Sequence, residues 1–412
     1  MQGYNVSFGD KEIALAVEQY GSPLWLYDFG VIEKQIRNLR SFDIIRYAQK
    51  AAPNVNLLSR MRSCGVAVDA VSAGEIVRAM RAGFDSSNIR YTADIFDKDA
   101  LALVKANSIP VNIGSPDMLL QLHEAGVGVP LAIRVNPGFG HGHSKKVNTG
   151  GDLSKHGVWH SELGSLVKKA GELGFTVECL HIHIGSGSDF EHLSSVISAM
   201  EKLAPVIGKS LKIISIGGGL PISYKRDGQN SMDLGKYYDM WDASRKRMSE
   251  GAGCSLKLEV EPGRYLVAES CVLAAEIRAV KKMGNNLFYL IDAGFSDLIR
   301  PTLYGAYHHI SIIHKNGKKT AEETDVIVAG PLCESGDVFT QEEGGLVVSR
   351  RLPLASVGDL LVIHEAGAYG STMSSNYNSR LLAPEFLWEN SNFTQIRKRQ
   401  TFEQLLANET VD

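Results

Sequence analysis

Cysteine is scarce in this chain, and the paired patterns that cysteine forms in disulfide frameworks and zinc sites are absent. The 412 residues include five cysteines, and no CxxC motif joins any two of them. An odd and scattered set of cysteines in a long chain is typical of reduced thiols in a cytosol. We therefore expect a cytoplasmic protein with free thiols.

Long apolar runs and an excess of one charge are also missing. No stretch approaches the roughly 20 apolar residues that a membrane-spanning helix needs. The first residues, MQGYNVSFGDKE, have no basic segment followed by an apolar run, so we expect no signal peptide. With 43 basic and 46 acidic residues, the formal net charge is -3. This balance predicts neither a membrane nor a nucleic acid as a partner.

The chain has no low-complexity tract and no Pro-rich linker, so its organisation has to be taken from hydrophobic periodicity. Short β-branched runs alternate with amphipathic helical stretches through the first two-thirds. The strand candidates are residues 44–49, 66–71, 89–93, 109–113, 131–136, 177–184, 211–216 and 256–261. Eight such repeats predict an α/β fold with a closed (β/α)8 TIM-like barrel. The alternative is an open doubly wound sheet, which usually has fewer strands and a Gly-rich first turn, where this chain has Lys-Ala-Ala-Pro.

The pattern changes after the eighth repeat. Strand candidates separated by turns, with few helices, predict a β-rich second domain that is sandwich-like or barrel-like. A further strand candidate, residues 23–28, precedes the barrel and is available to pair with that domain. We therefore predict a barrel domain at 30–268 and a discontinuous β-rich domain formed by 1–29 and 269–412.

Polar or special residues stand at the carboxyl ends of six of the eight predicted barrel strands. In a (β/α)8 barrel the chemistry lies at these ends. The residues are, in chain order, Lys50, Asp69, Arg134, His183, Ser186, Gly217–Gly219, Glu261, Gly263 and Arg264. Their common position predicts an active site at this end of the barrel.

Two of the charged residues in this set, Lys50 and Glu261, each allow two interpretations. Lys50 is either a lysine that extends out of the barrel mouth or an amine that forms a Schiff base with a carbonyl in a desolvated pocket. A buried carboxylate such as that of Glu261 must be paired. Its partner is either Arg264 or a protonated ring nitrogen of a ligand.

Glycine and histidine at two further strand ends also allow two interpretations each. Gly217–Gly219 is either a tight turn or a loop whose backbone N–H groups bind a phosphate. His183 and His181 face the same side, but no HExxH motif or cysteine pair supplies further ligands, so we predict no metal. The ring of His183 is either a satisfied core histidine or a surface that stacks on a flat cofactor.

The segment AGPLCESGDVFT, residues 329–340, places the thiol of Cys333 beside the carboxylate of Glu334 in a Gly-flanked turn. Neighbouring side chains of an extended segment point in opposite directions. A buried core strand would not contain this run of polar residues. The turn is therefore either a solvated surface feature or part of a site whose remainder lies elsewhere.

Together these segments resemble the fold-type III pyridoxal-phosphate decarboxylases, over nearly the whole chain and in the order of that family. The matching motifs are RYAQKA (46–51), VDAVSAGE (68–75), RVNPGFGHGHS (134–144), SKHG (154–157), HIHIGSG (181–187), GGGL (217–220), EPGRYLVA (261–268), DAGFSDLIRPTLYGAYH (292–308), AGPLCESGDVF (329–339) and GAYGSTMSSNYNSR (367–380). CESGD and RPTLYGAYH are specific to one branch of the family, whereas GGG or EPGR alone would not be. The resemblance implies a carboxy-lyase that converts meso-2,6-diaminopimelate to L-lysine and CO₂. The alternative is a decarboxylase of another basic or conjugated amino acid.

The resemblance also implies a role for each residue at the strand ends, with pyridoxal 5'-phosphate as the cofactor. Lys50 would form the Schiff base, His183 would stack on the pyridine ring, and Glu261 would hold the pyridinium N–H. The phosphate would be bound by Ser186, Gly219, Gly263 and Arg264, and the cofactor pocket would be lined by Asp69 and Arg134.

The substrate residues implied by the resemblance lie mostly in the second domain. The distal carboxylate of the substrate would be bound by Arg264, Arg300 and Tyr304, and its distal amine by Glu334. Cys333, or Lys50 as the alternative acid, would return a proton to Cα, and Tyr369 would close over cofactor and substrate. In the family the Cys-Glu pair comes from the partner subunit, which implies a homodimer. The long, Gly-rich and charged segment 141–157 is a candidate for a lid.

Two other classes of protein would use only part of this pattern. A cofactor carrier without catalytic activity would keep Lys50 and the phosphate loops, but would not need Arg300 together with Cys333 and Glu334. A barrel without a cofactor would make the polar strand ends a coincidence. Within the enzymes, a carboxylate at Glu261 favours decarboxylation over racemisation.

Overall fold

The computed structural model describes residues 5–140, 150–183, 189–228, 231–317 and 320–410. The chain forms two compact units. The barrel unit comprises residues 35–222 and 230–265, and the β unit comprises residues 1–34, 223–229 and 266–412. Residues 223–229 therefore belong to the β unit, although they lie in the middle of the domain that the sequence predicts to be the barrel.

Helices and strands alternate through the barrel unit, whereas strands predominate in the β unit. The strands are β1 (Leu24–Asp28), β2 (Ile44–Ala48), β3 (Ala67–Ala70), β4 (Ile89–Ala93), β5 (Val111–Ile113), β6 (Leu131–Asn136), β7 (Val158–Trp159), β8 (Val177–Ile182), β9 (Ile213–Ser215), β10 (Lys257–Val260), β11 (Cys271–Met283), β12 (Asn286–Ile291), β13 (Ile310–Ile313), β14 (Glu323–Ala329), β15 (Arg350–Pro353), β16 (Leu360–Ile363), β17 (Glu385–Glu389) and β18 (Asn392–Arg397). The helices are α1 (Asp10–Tyr20), α2 (Phe29–Asn38), α3 (Val55–Ser63), α4 (Ala73–Arg81), α5 (Lys98–Asn107), α6 (Pro116–Glu124), α7 (Leu163–Glu172), α8 (Phe190–Ile207), α9 (Leu234–Ala252), α10 (Arg264–Val267), α11 (Arg300–Tyr304) and α12 (Phe402–Leu406). Among the described residues, no helix is both long enough and apolar enough to cross a membrane.

Eight parallel strands of the barrel unit close on themselves. Around the barrel their order is β2, β3, β4, β5, β6, β8, β9 and β10, and β10 pairs with β2 to close the ring. The short strand β7 pairs with β6 beside these eight strands. Each of the eight predicted segments contains one barrel strand, and the predicted fold class is confirmed.

Three of the helices that follow barrel strands, α3, α4 and α5, begin at residues whose side chains cap them. The side chain of Asn54 accepts the N–H of Asn56 at the start of α3, and Ser72 accepts the N–H of Glu75 at the start of α4. Asp97 does the same for Ala100 in α5. Such caps satisfy N–H groups that a helix leaves unpaired, each contributing about 1 kcal/mol. They also set the point at which each strand end turns into the next helix.

The interior of the barrel contains a charged cluster. Glu259 on β10 accepts hydrogen bonds from the guanidinium groups of Arg46 on β2, at 3.0 Å, and of Arg90 on β4. All three side chains are buried. Barrel interiors are usually filled by branched apolar side chains. Since residues two apart on a strand share a face, this cluster lies one layer below Glu261.

The β unit is built around one mixed sheet. Its strand order is β15, β14, β12, β11, β1, β17 and β18, while β16 pairs with both β11 and β13. The N-terminal strand β1 runs antiparallel to β11 and parallel to β17, so it lies inside the sheet, as the sequence predicts. Phe8, Leu26, Val272 and Phe386 are part of its apolar core. Burying each such side chain contributes roughly 1.5–3 kcal/mol.

Candidate active site

The residues predicted from the strand ends lie in the barrel unit, and the remaining predicted residues lie in the β unit. The barrel unit contains Lys50, Asp69, Arg134, His183, Gly219, Glu261, Gly263 and Arg264. The β unit contains Arg300, Tyr304, Cys333, Glu334 and Tyr369. Ser186 and the first part of the predicted lid, residues 141–149, lie outside the described residues.

Glu261, directly after β10, is a buried carboxylate with two polar neighbours. Its Oε1 accepts the hydroxyl of Ser215 at 2.9 Å, and its Oε2 lies 3.2 Å from Nε2 of His181. The amide nitrogen of Asn112 is 2.7 Å from Nδ1 of His181, which directs the ring proton at Nε2 towards Glu261. Burial raises the pKa of Glu261, but His181, and then Arg90 of the charged cluster, outweigh it and hold the pKa below its ordinary value. The group therefore stays ionised and can accept a hydrogen bond from a protonated ring nitrogen.

Asp69 on β3 is as buried as Glu261, but its pKa is shifted in the opposite direction. Burial, followed by the charge of Glu261, raises its pKa from 3.8 to about 7. Within the described part of the chain its Oδ1 has no hydrogen-bond partner, and neither has Oε1 of the buried Gln49. A buried polar atom left unpaired costs about 1–3 kcal/mol. These atoms therefore mark a place where a polar ligand would be stabilised.

His183, directly after β8, is held as a neutral ring. The N–H of Gly218 donates to its Nδ1 at 2.9 Å, so the ring proton of the neutral form is on Nε2. Burial, and then the positive charges of Arg134 and Lys50, lower its pKa well below the ordinary value. A neutral flat ring at a strand end suits stacking on a flat cofactor.

The glycines after β9 are required by close packing. A Cβ at Gly217 would lie 2.7 Å from the carbonyl oxygen of Ile182, and a Cβ at Gly218 would lie 2.4 Å from that of Glu261. Gly217 and Gly219 also have positive φ angles of 66° and 94°. Both requirements exclude other residues, and they leave backbone N–H groups where an anion can approach closely.

Lys50 lies in a single 3-10 turn, Gln49–Ala51, that follows β2. Its side chain is exposed at the end of the strand, while the flanking residues Gln49 and Ala51 are buried. The amine is thus presented from a fixed backbone position at the same end of the barrel as Asp69, His183 and Glu261.

The sequence analysis missed Asp94, which directly follows β4. Its carboxylate is 2.6 Å from Nδ1 of His156 and accepts the N–H of Gly157 at 2.9 Å. Burial raises the pKa of Asp94, but these two groups and Arg134 outweigh it and lower the pKa. Asp94 therefore anchors the SKHG motif at the end of the predicted lid. A carboxylate at the carboxyl end of a predicted barrel strand is the same signal that identified Asp69.

Arg300, at the start of α11 in the β unit, is a buried cation with a fixed orientation. Its Nη1 lies 2.8 Å from Nε2 of His308, and its guanidinium lies over the ring of Tyr224 at 4.8 Å from the centroid. Tyr304 is one turn later on the same helix and therefore shares its face. Tyr369 has a φ of 58°, an uncommon conformation for a residue with a side chain.

The turn with Cys333 and Glu334 is held by hydrogen bonds and exposes both side chains. Its anchor is Asp337, whose carboxylate accepts the N–H groups of Leu332 at 2.8 Å and Phe295 at 2.7 Å. The N–H of Cys333 donates to Oδ1 of Asn378 at 2.8 Å. The turn therefore holds a thiol and a carboxylate outward from the β unit at fixed positions.

Comparison with known proteins assigns the chain to a family. Residues 30–268 match the family described as "Pyridoxal-dependent decarboxylase, pyridoxal binding domain". The chain belongs to the pyridoxal-dependent decarboxylases, and the family predicted from the sequence is confirmed.

Several members of this family match the chain over nearly their whole length. The chain is 50% identical over 394 residues to the diaminopimelate decarboxylase of Buchnera aphidicola subsp. Acyrthosiphon pisum, covering 95% of this chain and 94% of that protein. A crystal structure of a diaminopimelate decarboxylase is 46% identical, covers 99% of both chains and has a TM-score of 0.95. The Helicobacter pylori diaminopimelate decarboxylase complexed with L-lysine is 30% identical, covers 96% of this chain and 98% of that one, and has a TM-score of 0.85.

Proposed function

We propose that this protein decarboxylates meso-2,6-diaminopimelate to L-lysine and CO₂ with pyridoxal 5'-phosphate, as the last step of bacterial lysine biosynthesis. The observation that carries the proposal is the buried, ionised carboxylate of Glu261 at the end of β10. A carboxylate at this place keeps a ring nitrogen protonated, which is what a decarboxylase of this family requires. The similarity to diaminopimelate decarboxylases over 95% of the chain supports the choice of substrate.

Pyridoxal phosphate fits the barrel-unit residues in three respects. The Oδ1 of Asp69, which has no hydrogen-bond partner among the described residues, offers an acceptor, the positive-φ backbone at Gly219 offers an N–H group to a phosphate, and Glu261 offers a carboxylate to the ring nitrogen. When bound, the cofactor supplies the electron sink that makes loss of CO₂ from an amino acid possible. The remaining chemistry belongs to the side chains.

The barrel-unit residues bind and orient the cofactor in this proposal. Lys50 holds it through its amine, His183 stacks on its ring, and Glu261 retains the proton on the ring nitrogen. The phosphate is bound by Ser186, Gly219, Gly263 and Arg264, and the pocket is lined by Asp69 and Arg134. Gly218 keeps the ring of His183 neutral and fixed through its N–H.

The β-unit residues orient the substrate. Arg300 and Tyr304, with Arg264, bind the distal carboxylate, and Glu334 binds the distal amine. A guanidinium binds a carboxylate through two parallel hydrogen bonds, which would fix the orientation of the substrate in the site. Tyr369 closes over the bound substrate and excludes water. Cys333 then returns a proton to Cα.

We also propose a homodimer in which Cys333 and Glu334 complete the site of the partner subunit. The outward presentation of both side chains by the turn at Asp337 supports this arrangement. Residues 30–268 would act as the cofactor-binding domain, and residues 1–29 with 269–412 as the β-rich domain. The five free thiols support a cytoplasmic location.

An end-point assay tests the proposed reaction. The purified protein is mixed with pyridoxal phosphate and offered meso-diaminopimelate, with ornithine, arginine and lysine as control substrates. We expect L-lysine and CO₂ from diaminopimelate alone, and strongly reduced formation by Arg300→Lys, which keeps the charge but loses the bidentate geometry. Turnover of another basic or conjugated amino acid instead would replace the proposed substrate with the alternative one.

A further inference from the structure

Residues 223–229 connect β9 to α9, both in the barrel unit, yet they belong to the β unit. They follow the phosphate-binding glycines closely in the chain. Two side chains of this segment, Tyr224 and Arg226, each contact a different group of the β unit. Nothing in the proposed reaction assigns a role to either of them.

Arg226 fixes the segment to the β unit. Its Nε and Nη2 donate to Oε1 of Glu365 at 2.9 and 2.6 Å, and the two side chains are 9% and 1% exposed. Both residues have positive φ angles, 57° and 50°, although neither is glycine. Such strained backbone persists only where the surrounding contacts determine it. These buried hydrogen bonds between Arg226 and Glu365 therefore hold the segment in one conformation.

Tyr224 and His308 hold the guanidinium of Arg300 from two directions. The guanidinium lies over the ring of Tyr224, and its Nη1 is hydrogen-bonded to Nε2 of His308. Nδ1 of His308 is 2.9 Å from the carbonyl oxygen of His364, so Nδ1–H donates there and Nε2 is left to accept from Arg300. The two aromatic rings also pack edge to face at 5.3 Å. His364 and Glu365 thus anchor both halves of this arrangement from consecutive positions.

We propose that Tyr224 is a specificity-determining positioning residue, which orients Arg300 towards ligands with a carboxylate at the end remote from the reacting Cα. This inference rests on the proposed function, in which Arg300 binds that carboxylate. The arginine side chain has several rotatable bonds, and ordering it only on binding would cost affinity. Because it lies over the ring of Tyr224, the guanidinium is ordered before the ligand arrives.

The test compares two ligands of the holoenzyme that differ by one carboxylate. L-Lysine carries a carboxylate and an amine at the remote end, whereas 1,5-diaminopentane carries the amine alone. Dissociation constants are measured by titration calorimetry for the wild type, Tyr224→Leu, Tyr224→Phe and the control Lys225→Gln. Lys225 is the exposed neighbour of Tyr224, so the control changes the same segment without touching Arg300.

We expect Tyr224→Leu to raise the dissociation constant for L-lysine about tenfold and to change that for 1,5-diaminopentane by no more than about twofold. Tyr224→Phe keeps the ring and should restore the wild-type preference, and Lys225→Gln should retain it. Glu365→Gln, which weakens the hold on Arg226, should change the preference in the same direction as Tyr224→Leu. It replaces Tyr224→Leu as the deciding variant if that protein fails to fold.

If Tyr224→Leu weakens the binding of both ligands equally, Tyr224 has a general structural role. If it leaves both dissociation constants unchanged, Tyr224 has no role. Either result overturns the inference. The wild type separates this from a failure of the proposed function. A wild type that does not prefer L-lysine, or does not decarboxylate meso-diaminopimelate, removes the proposed function and the inference with it. If the wild type prefers L-lysine and decarboxylates meso-diaminopimelate, and Tyr224→Leu keeps the preference for L-lysine, only the inference is removed.

Discussion

At the scale of single residues, Asp69 and Glu261 illustrate how partners decide the charge of a buried group. Both are aspartate or glutamate side chains at the end of a barrel strand, and they are 5% and 6% exposed. Glu261 has a hydroxyl, a histidine and two buried arginines nearby, whereas Asp69 has the charge of Glu261 as its neighbour. Two carboxyl groups with divergent pKa values are a common basis for dividing roles in an active site.

The raised pKa of Asp69 predicts a pH dependence of stability in the cofactor-free protein. Between pH 3.8 and about 7 the folded state holds a proton that the unfolded chain has released, so the free energy of unfolding falls as the pH rises. The loss should reach at most about 4 kcal/mol. Urea unfolding of the wild type and Asp69→Asn across this range should give curves that diverge up to about pH 7 and then run parallel. Parallel curves throughout would contradict the shift at Asp69.

The exposed thiol of Cys333 predicts a specific loss of turnover. We expect Cys333→Ala to lower kcat about 100-fold, since a positioned proton donor is removed, without changing the absorbance of the bound cofactor. Cys254→Ala is the matched control, because Cys254 is also exposed but belongs to the barrel unit. Full activity of Cys333→Ala would remove its role as the proton donor.

Much of the candidate site could be predicted at this scale, because strand ends in a barrel are marked by polar residues after apolar runs. Lys50 and Glu261 stand out in this way. Tyr224 and Arg226 do not, since their partners Arg300 and Glu365 are distant in sequence and only the folded chain brings them together.

At the scale of elements, the eight barrel strands were predictable because buried parallel strands are nearly continuous apolar runs. The sequence analysis missed β13, β15 and β18 of the β unit. β15 has the sequence RRLP and β18 has the sequence NFTQIR, and both are at the edges of the sheet order. Edge strands with a solvated face and charged or proline residues carry little hydrophobic signal.

We predict that the loop after β9 does not tolerate the addition of a single methyl group. In Gly218→Ala the added Cβ would lie 2.4 Å from the carbonyl oxygen of Glu261, so the loop must shift. We expect the affinity for pyridoxal phosphate to fall about tenfold or more. Gly171→Ala in α7, whose Cβ would meet nothing within 4 Å, should bind the cofactor normally. Unchanged binding by Gly218→Ala in a fluorescence titration would argue against this loop as the phosphate site.

At the scale of the whole molecule, the proposed dimer predicts complementation between two inactive variants. Lys50→Ala should lack the long-wavelength absorbance of lysine-bound pyridoxal phosphate, while Cys333→Ala should retain it. If each site combines Lys50 of one chain with Cys333 of the other, mixed dimers contain one intact site. Co-expression of the two variants should then restore about a quarter of wild-type activity. No restoration in mixed dimers would indicate that each site is formed within one chain.

The position of β1 has a consequence for biosynthesis on the ribosome. Leu26 pairs with Val272 on one side and with Phe386 on the other, so the first strand to be synthesised waits for nearly the last one. The strands of the barrel unit have all been synthesised before residue 266, whereas β1 still has an open edge until β17 is synthesised. An unpaired apolar strand edge invites association with other nascent chains. The N-terminal strand is therefore the segment of this protein for which a chaperone is most useful during translation.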